Sequence, residues 1–380
     1  MKKMSTINIS GVILVVLSAL SLSSMAEVNF QGFASFVGGA TLESDETYNG
    51  YENKIEYDKN SVYGLQAVSN LGDGLTATGQ IIARGSENYK PEFEWMYLSY
   101  NITPTLSAKF GRIRTPFYMQ SEYLEVGYTY HWIRPPEELY AAQITNMDGA
   151  SLLYNAAMGG IDGQFVVSIA NRRSYSEDPS TTVSDFTSIV ATTAQFEFKG
   201  QSAKLIYVQG DLTIESSGID QAAKTYSDFT VSDSFIDKYV RIQGTQLVFT
   251  GIGFDLNFDA IKVVLEYSQL DFGDLVLIPS KEARSLASVA YNFNDSSISY
   301  SLSGNKKESD SAIAGNAAVP VQPIILGALA GSDRDVTTHT VGLRHDFHDS
   351  AAFKVELIST EESKLDTKAT LVRFGVDMIF

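Results

Sequence analysis

Arginine, glutamate and aromatic rings crowd one stretch of this chain. Arg112, Arg114, Glu122, Glu125, Arg134, Glu137 and Glu138 lie among Phe117, Tyr118, Tyr123, Tyr128, Tyr130, Trp132 and Tyr140. Guanidinium and carboxylate groups held close pair through charge-assisted hydrogen bonds, and held apart across a watery gap they create a field. Neither use forms a covalent bond. Covalent chemistry has less to draw on. The histidines are His131, His339, His345 and His348, and the spacing of His339 and His345 puts both on one face of a strand. No Gly-x-Ser-x-Gly or His-Glu-x-x-His pattern accompanies them, so nucleophilic and zinc chemistry have little support. Cysteine is absent, which excludes disulfides and thiolate metal sites. No cofactor and no metal are expected.

The elements that must hold these residues alternate in hydropathy with period two. In the last strand one face reads Thr370, Val372, Phe374, Val376, Met378 and Phe380, and the other Leu371, Arg373, Gly375, Asp377 and Ile379. Ser297 to Gly304 divides more sharply still, with Ile298, Tyr300 and Leu302 against a row of serines. Such segments recur between turn signals, and sixteen strands are counted, starting near Val28, Ser61, Leu75, Glu92, Thr105, Gly149, Gly163, Thr192, Ala203, Thr245, Ile261, Arg284, Ser297, Val336, Ala352 and Ala369. Links after even-numbered strands are short. Those after odd-numbered strands are mostly long, as in Thr41 to Asn60, Thr115 to Asp148, Asp211 to Arg241 and Lys306 to Asp335. Short turns on one rim and long loops on the other mark a sheet that spans a membrane, and such a sheet must close, because a free edge in lipid leaves backbone groups unpaired. The expected fold class is all-β: a membrane-spanning antiparallel up-and-down β-barrel of about 16 strands over residues 27–380. Sixteen strands leave an aqueous lumen.

Addressing agrees. Lys2 and Lys3, an apolar run from Gly11 to Leu22, and Ser24-Met25-Ala26 before Glu27 read as a secretory signal peptide over residues 1–26, too short in its apolar core for a spanning helix. Leaving out those two lysines takes the net charge from −17 to −19, which argues against a nucleic-acid partner. Much of the acidic excess, such as Glu43, Asp45, Glu46, Glu52 and Glu56, sits in the first long link, solvated or bridged by divalent cations to lipopolysaccharide.

The pattern resembles the general Gram-negative porins: a signal peptide, sixteen strands, a terminal Phe380, and a long third loop entered through Gly111-Arg112-Ile113-Arg114-Thr115-Pro116-Phe117. The resemblance covers residues 27–380. It implies an outer-membrane barrel reached through the periplasm, usually a homotrimer, with the final strand (Phe374, Val376, Met378, Phe380) read as a signal by the barrel-assembly machinery. It also implies that the third loop, Thr115–Asp148, folds into the lumen and narrows the pore, with acidic loop residues facing basic wall residues. Glu122, Glu125, Glu137 and Glu138 are the acidic candidates. Strand parity turns Arg84, Lys109 and Arg373 inward, and the resemblance adds Arg112 and Arg114. The usual Pro-Glu-Phe-Gly-Gly type tip is missing, so which glutamate reaches the constriction stays open. Small outward residues such as Ala77, Gly79 and Ala83 would permit close barrel contact. The function expected is passive diffusion of ions and small hydrophilic solutes across the outer membrane. Alternatives are a channel selective for a sugar, phosphate or acidic solute, and, with less support, a barrel enzyme or an adhesin.

Overall fold

A computed structural model describes residues 27–140, 144–174 and 182–380 of the chain; the expected signal peptide, residues 1–26, lies outside them. Sixteen strands form: Val28–Thr41 (β1), Val62–Gly72 (β2), Leu75–Arg84 (β3), Pro91–Asn101 (β4), Leu106–Arg114 (β5), Asn146–Met158 (β6), Ile161–Arg173 (β7) and Val183–Phe198 (β8), then Gln201–Glu215 (β9), Ile242–Phe258 (β10), Ile261–Asp271 (β11), Lys281–Phe293 (β12), Ser296–Glu308 (β13), Arg334–His348 (β14), Ala351–Glu362 (β15) and Thr367–Ile379 (β16). Each pairs antiparallel with its sequence neighbours, and β1 pairs with β16 from Phe33↔Ile379 to Thr41↔Leu371, closing the barrel. Closure gives every ladder a partner, which lipid requires.

Burial is inverted relative to a water-soluble sheet. Along β13, Ser297, Ser299, Ser301 and Ser303 are buried while Ile298, Tyr300 and Leu302 are exposed, and along β15 Lys354 and Glu356 are buried between exposed Phe353 and Leu357. The polar set points inward and the apolar set forms an outer belt suited to lipid. Among the described residues no helix is long and apolar enough to cross a membrane; the strands do the crossing. Phe374, Val376, Met378 and Phe380 stand on the outer face of β16, and the Phe380 ring lies over Gly32, where a Cβ would come within 2.2 Å of it. Backbone bonds between Gly32 and Phe380, 2.7 and 2.9 Å, finish the seam.

The two rims differ as the link lengths predict. Links after even-numbered strands run two to four residues, whereas the odd ones carry the long segments. Two strands depart from simple alternation. The sixteen-residue β8 starts at Val183 rather than near Thr192, because its register shifts between Thr187 and Val190, where Ser188 has φ +53°, and that interrupts the period-two pattern. In β1, Phe33 and Val37 point inward and Phe30 and Phe36 outward. Inward apolar side chains are explained by what covers them: Phe33, Val62 and Ile82 cluster with Val126 of the long link after β5. At the long-loop rim, helices Ser217–Asp228 and Asp233–Tyr239 pack with helix Gln322–Ser332 and Val276 around a separate apolar cluster.

Candidate functional site

Among the described residues between β5 and β6 there is no long regular element, so their backbone groups need partners elsewhere. The strands supply them from their polar faces. The N–H of Met119 donates to the Glu266 carboxylate of β11 at 2.7 Å, and the N–H of Ile133 to Glu356 of β15 at 2.8 Å. Lys354, with no exposed surface, donates to the carbonyls of Gly127 (2.6 Å) and Trp132 (2.7 Å) and pairs with Asp377 of β16 at 2.7 Å. Asp377 in turn accepts from Ser35 of β1 across the seam. Gly127 leaves no room for a side chain, since a Cβ there would stand 2.2 Å from Asp377 Oδ1. Arg344 donates to the carbonyls of Tyr128 and Tyr130, and Arg284 to the Tyr118 hydroxyl (2.7 Å) and the Leu139 carbonyl (3.1 Å).

Aromatic rings add to these bonds. Phe117 and Tyr118 meet Phe249 of β10 at centroid distances of 4.8 and 5.8 Å, and Tyr118 meets Tyr140 at 4.9 Å. Tyr140 donates its hydroxyl proton to Glu266 at 2.6 Å, and Trp132 Nε1 donates to Ser301 at 2.7 Å. Phe117, Tyr118, Tyr130, Trp132 and Tyr140 are all buried, Tyr128 is half-buried and Tyr123 is 54% exposed.

The charged residues singled out in the sequence separate into groups. Arg84 donates to Glu125 at 2.8 Å and to Glu94 at 2.7 Å, and also pairs with Glu92. Arg114 pairs with the other oxygen of Glu94 and donates to the Ser121 carbonyl at 2.6 Å. Burial opposes ionisation of Glu125, yet the guanidinium groups of Arg84, Arg134 and Arg114 hold its carboxyl below the usual carboxylate range. Arg373 is shared between Glu356 (2.8 Å) and Glu137 (3.7 Å); burial, with Glu138 alongside, pushes the Glu137 carboxyl up. Glu138 accepts from Ser303 (2.9 Å), Thr338 (2.7 Å) and Tyr48. Lys109 stands over the Tyr97 ring at 5.1 Å, and Glu122 is exposed. Arg112 is brought to none of these groups. It sits in register with the outward Met96 and pairs with Asp148 at 2.8 Å, next to Gly111, whose φ of +131° and close approach to the Met96 carbonyl need glycine.

Sequence reasoning missed Glu94, which is fully buried and joins Arg84 to Arg114, together with Lys354, Glu356, Glu266 and Arg284. Parity alone would have found Lys354 and Glu356, since they alternate with Phe353, Val355 and Leu357. Of the histidines, His131 Nε2 lies 2.9 Å from Ser288, while His339 and His345 meet Tyr300 and Ser296 at exposed positions of β14.

Space remains on one side. A cavity of about 540 Å³ lies between Glu122 to Val126 and the wall residues Gln31, Gln66, Gln80 and Trp95, reaching Ser350 and Phe380 at the short-turn rim. A second, of about 180 Å³, shares Trp95, Arg114, Glu122 and Tyr123 and extends to Lys109, Ser151 and Lys204.

Neither a protein-family model nor a curated protein matches the chain. Solved structures do. A loop-deletion variant of OmpT, an outer membrane protein of Vibrio cholerae, is 12% identical over 93% of this chain and 99% of its own, with a TM-score of 0.58. The anion-selective porin from Comamonas acidovorans is 12% identical over 93% of this chain and 100% of its own, at 0.56. This chain has the porin fold. The outer membrane channel DcaP of Acinetobacter baumannii shares it at 14% identity, covering 93% and 97% of the two chains with a TM-score of 0.55. Identities this low carry the architecture of a porin-type outer-membrane barrel and leave the site to be argued from its own residues.

Proposed function

We propose that the chain is an outer-membrane channel for passive diffusion of ions and small hydrophilic solutes, constricted by the loop Thr115–Asp148 lying inside the barrel. The observation that carries this reading is that residues 115–140 bond to the polar faces of strands from β9 round to β16, yet leave a polar-walled space beside β1 to β4. Similarity to a porin and to an outer membrane channel supports a channel over a barrel enzyme. Arg84, Arg114, Lys109, Glu122 and Glu125 are the proposed constriction residues. Glu137, Glu138 and Arg373 act as anchors of the loop, and Arg112 lies outside the pore.

The charges at the proposed constriction are largely matched to one another, which favours a weakly selective pore over one steered by the net acidity of the chain. Part of that acidity is also neutralised locally, because Glu52 and Glu56 lie 3.4 and 3.6 Å from Lys54. A signal peptide over residues 1–26, assembly through the Phe380 strand and a homotrimer packed on Ala77, Gly79 and Ala83 complete the proposal. Planar-bilayer recording in a salt gradient tests it: stepwise ion currents with a small reversal potential are expected, and a correctly closed barrel that passes no current defeats it.

A further inference from the structure

Resting on that channel reading, we infer that the passage carries a subsite for a neutral, hydroxyl-rich ring, a carbohydrate, formed by Gln31, Gln66, Gln80, Trp95 and Tyr123. The first three strands and β4 place Gln31, Gln66, Gln80 and Trp95 side by side, each opposite the next in register. The Trp95 indole can only donate, so the Gln66 atom 3.0 Å from it is the carbonyl oxygen. That oxygen also accepts from Gln80 Nε2 at 3.3 Å, and Gln66 Nε2 faces Gln31 Oε1 at 3.5 Å. The amides are therefore oriented by one another. What they leave unused, among the described residues, is the Gln80 carbonyl oxygen, the Gln31 amide group and the second proton of each bonded NH₂. Donors and acceptors thus alternate along one row, which suits hydroxyl groups that both give and accept a proton.

Tyr123, with Glu122, Glu125 and Val126 of the segment after β5, lines the same cavity. Tyr123 is 54% exposed, whereas Phe117, Tyr118, Tyr130, Trp132 and Tyr140 of the same segment are sealed against the wall. Its ring face is thus free to meet an occupant of the cavity. An amide row facing an aromatic face is the pairing that grips a sugar, whose edge is polar and whose ring face is not. Ions find less here. Arg84 and Arg114 are already paired with Glu125 and Glu94, leaving Glu122 as the exposed charge. The cavity volume of about 540 Å³ falls within the range of small-molecule sites.

The test is titration of single channels with maltose. The wild-type current is expected to be blocked saturably, whereas a polyethylene glycol of equal hydrodynamic size changes it only in proportion to concentration. Tyr123→Ala and Gln66→Leu should each weaken the maltose block at least tenfold. Block that does not saturate, block matched by the polymer, or affinity unchanged in both variants overturns the subsite. Absence of any current defeats the channel reading alone. The subsite is then decided on detergent-solubilised Trp132→Phe protein, in which Trp95 is the sole indole. A saturable shift of its emission with maltose supports the inference, and a flat titration overturns it. Should that variant not fold, the wild-type emission serves the same purpose, because Trp132 is buried behind Ser301.

Discussion

The barrel interior has two sides built to different rules. Toward β9 to β16, the wall's polar groups are consumed by the segment after β5: Glu266, Arg284, Ser301, Lys354 and Glu356 each hold one of its backbone or aromatic groups. Toward β1 to β4, Gln31, Gln66, Gln80 and Trp95 bond mainly to each other and face open space. The contrast teaches how to tell a supporting wall from a working one. A polar residue whose bonds all end on protein is structural, and one with hydrogen-bonding capacity left over faces water or a solute.

If this division is right, changes on the closed side should cost stability and changes on the open side should alter currents. Lys354→Met should have the largest effect. It strands the buried Asp377 and frees two loop carbonyls, for an expected loss of about 3–5 kcal/mol in urea unfolding of the detergent-folded barrel. Adding Asp377→Leu should recover part of the loss, and a wild-type midpoint for the single variant would erase the distinction. Next comes Arg84→Ala, which releases Glu125 toward the cavity and leaves Glu94 to Arg114 alone. The expected loss is about 1–3 kcal/mol, with a reversal potential displaced toward cations; an unchanged potential would remove Arg84 from the passage.

Acidification separates the two sides again. Glu125 is held below the ordinary carboxylate range, so its stabilising contribution exists above that range and disappears only as pH falls through the lower folded value. Glu137 is raised by burial, so it takes up its proton before Glu125 as pH drops. Stability in urea unfolding should therefore rise in a step as pH falls through the raised folded value of Glu137, and Glu137→Gln abolishes that step. A step that survives in this variant belongs to another group. Trp132→Phe removes one hydrogen bond to Ser301 and should cost about 1 kcal/mol, with conductance retained. Smallest of all is Arg112→Ala. An exposed pair contributes about 0–1 kcal/mol, and on the outer face Arg112 should leave the reversal potential where it was.

Strand parity made most of the wall legible in advance, because lipid outside and water inside impose the period-two pattern strand after strand. It turned Arg84, Lys109 and Arg373 inward, and the structure places all three on the polar face. It failed where the backbone departs from the ladder. Gly111, at positive φ, precedes an outward Arg112, and the register shift opposite Gln80 and Ile81 turns both Glu94 and Trp95 inward. The partners of Glu122, Glu125, Glu137 and Glu138 were beyond sequence patterns, since contacts such as Glu138 to Thr338 join residues 200 positions apart. Ser216 and Ser232 cap the two helices after β9 through side-chain bonds to Gly218 and Phe235, a short-range signal that alternation does not reveal.

Asp377 bears on how the molecule is made. It bonds across the seam to Ser35, 342 positions earlier, and inward to the lysine that clamps Gly127. Pairings so remote in the chain are the last and slowest to form, because the intervening polymer must first be gathered in. The end of β16 therefore bears on two completions at once, the seam of the cylinder and the seating of its internal strap. A chain cut short before Asp377 would keep the pairs from Phe36↔Val376 to Thr41↔Leu371 and still leave Lys354 without its buried partner.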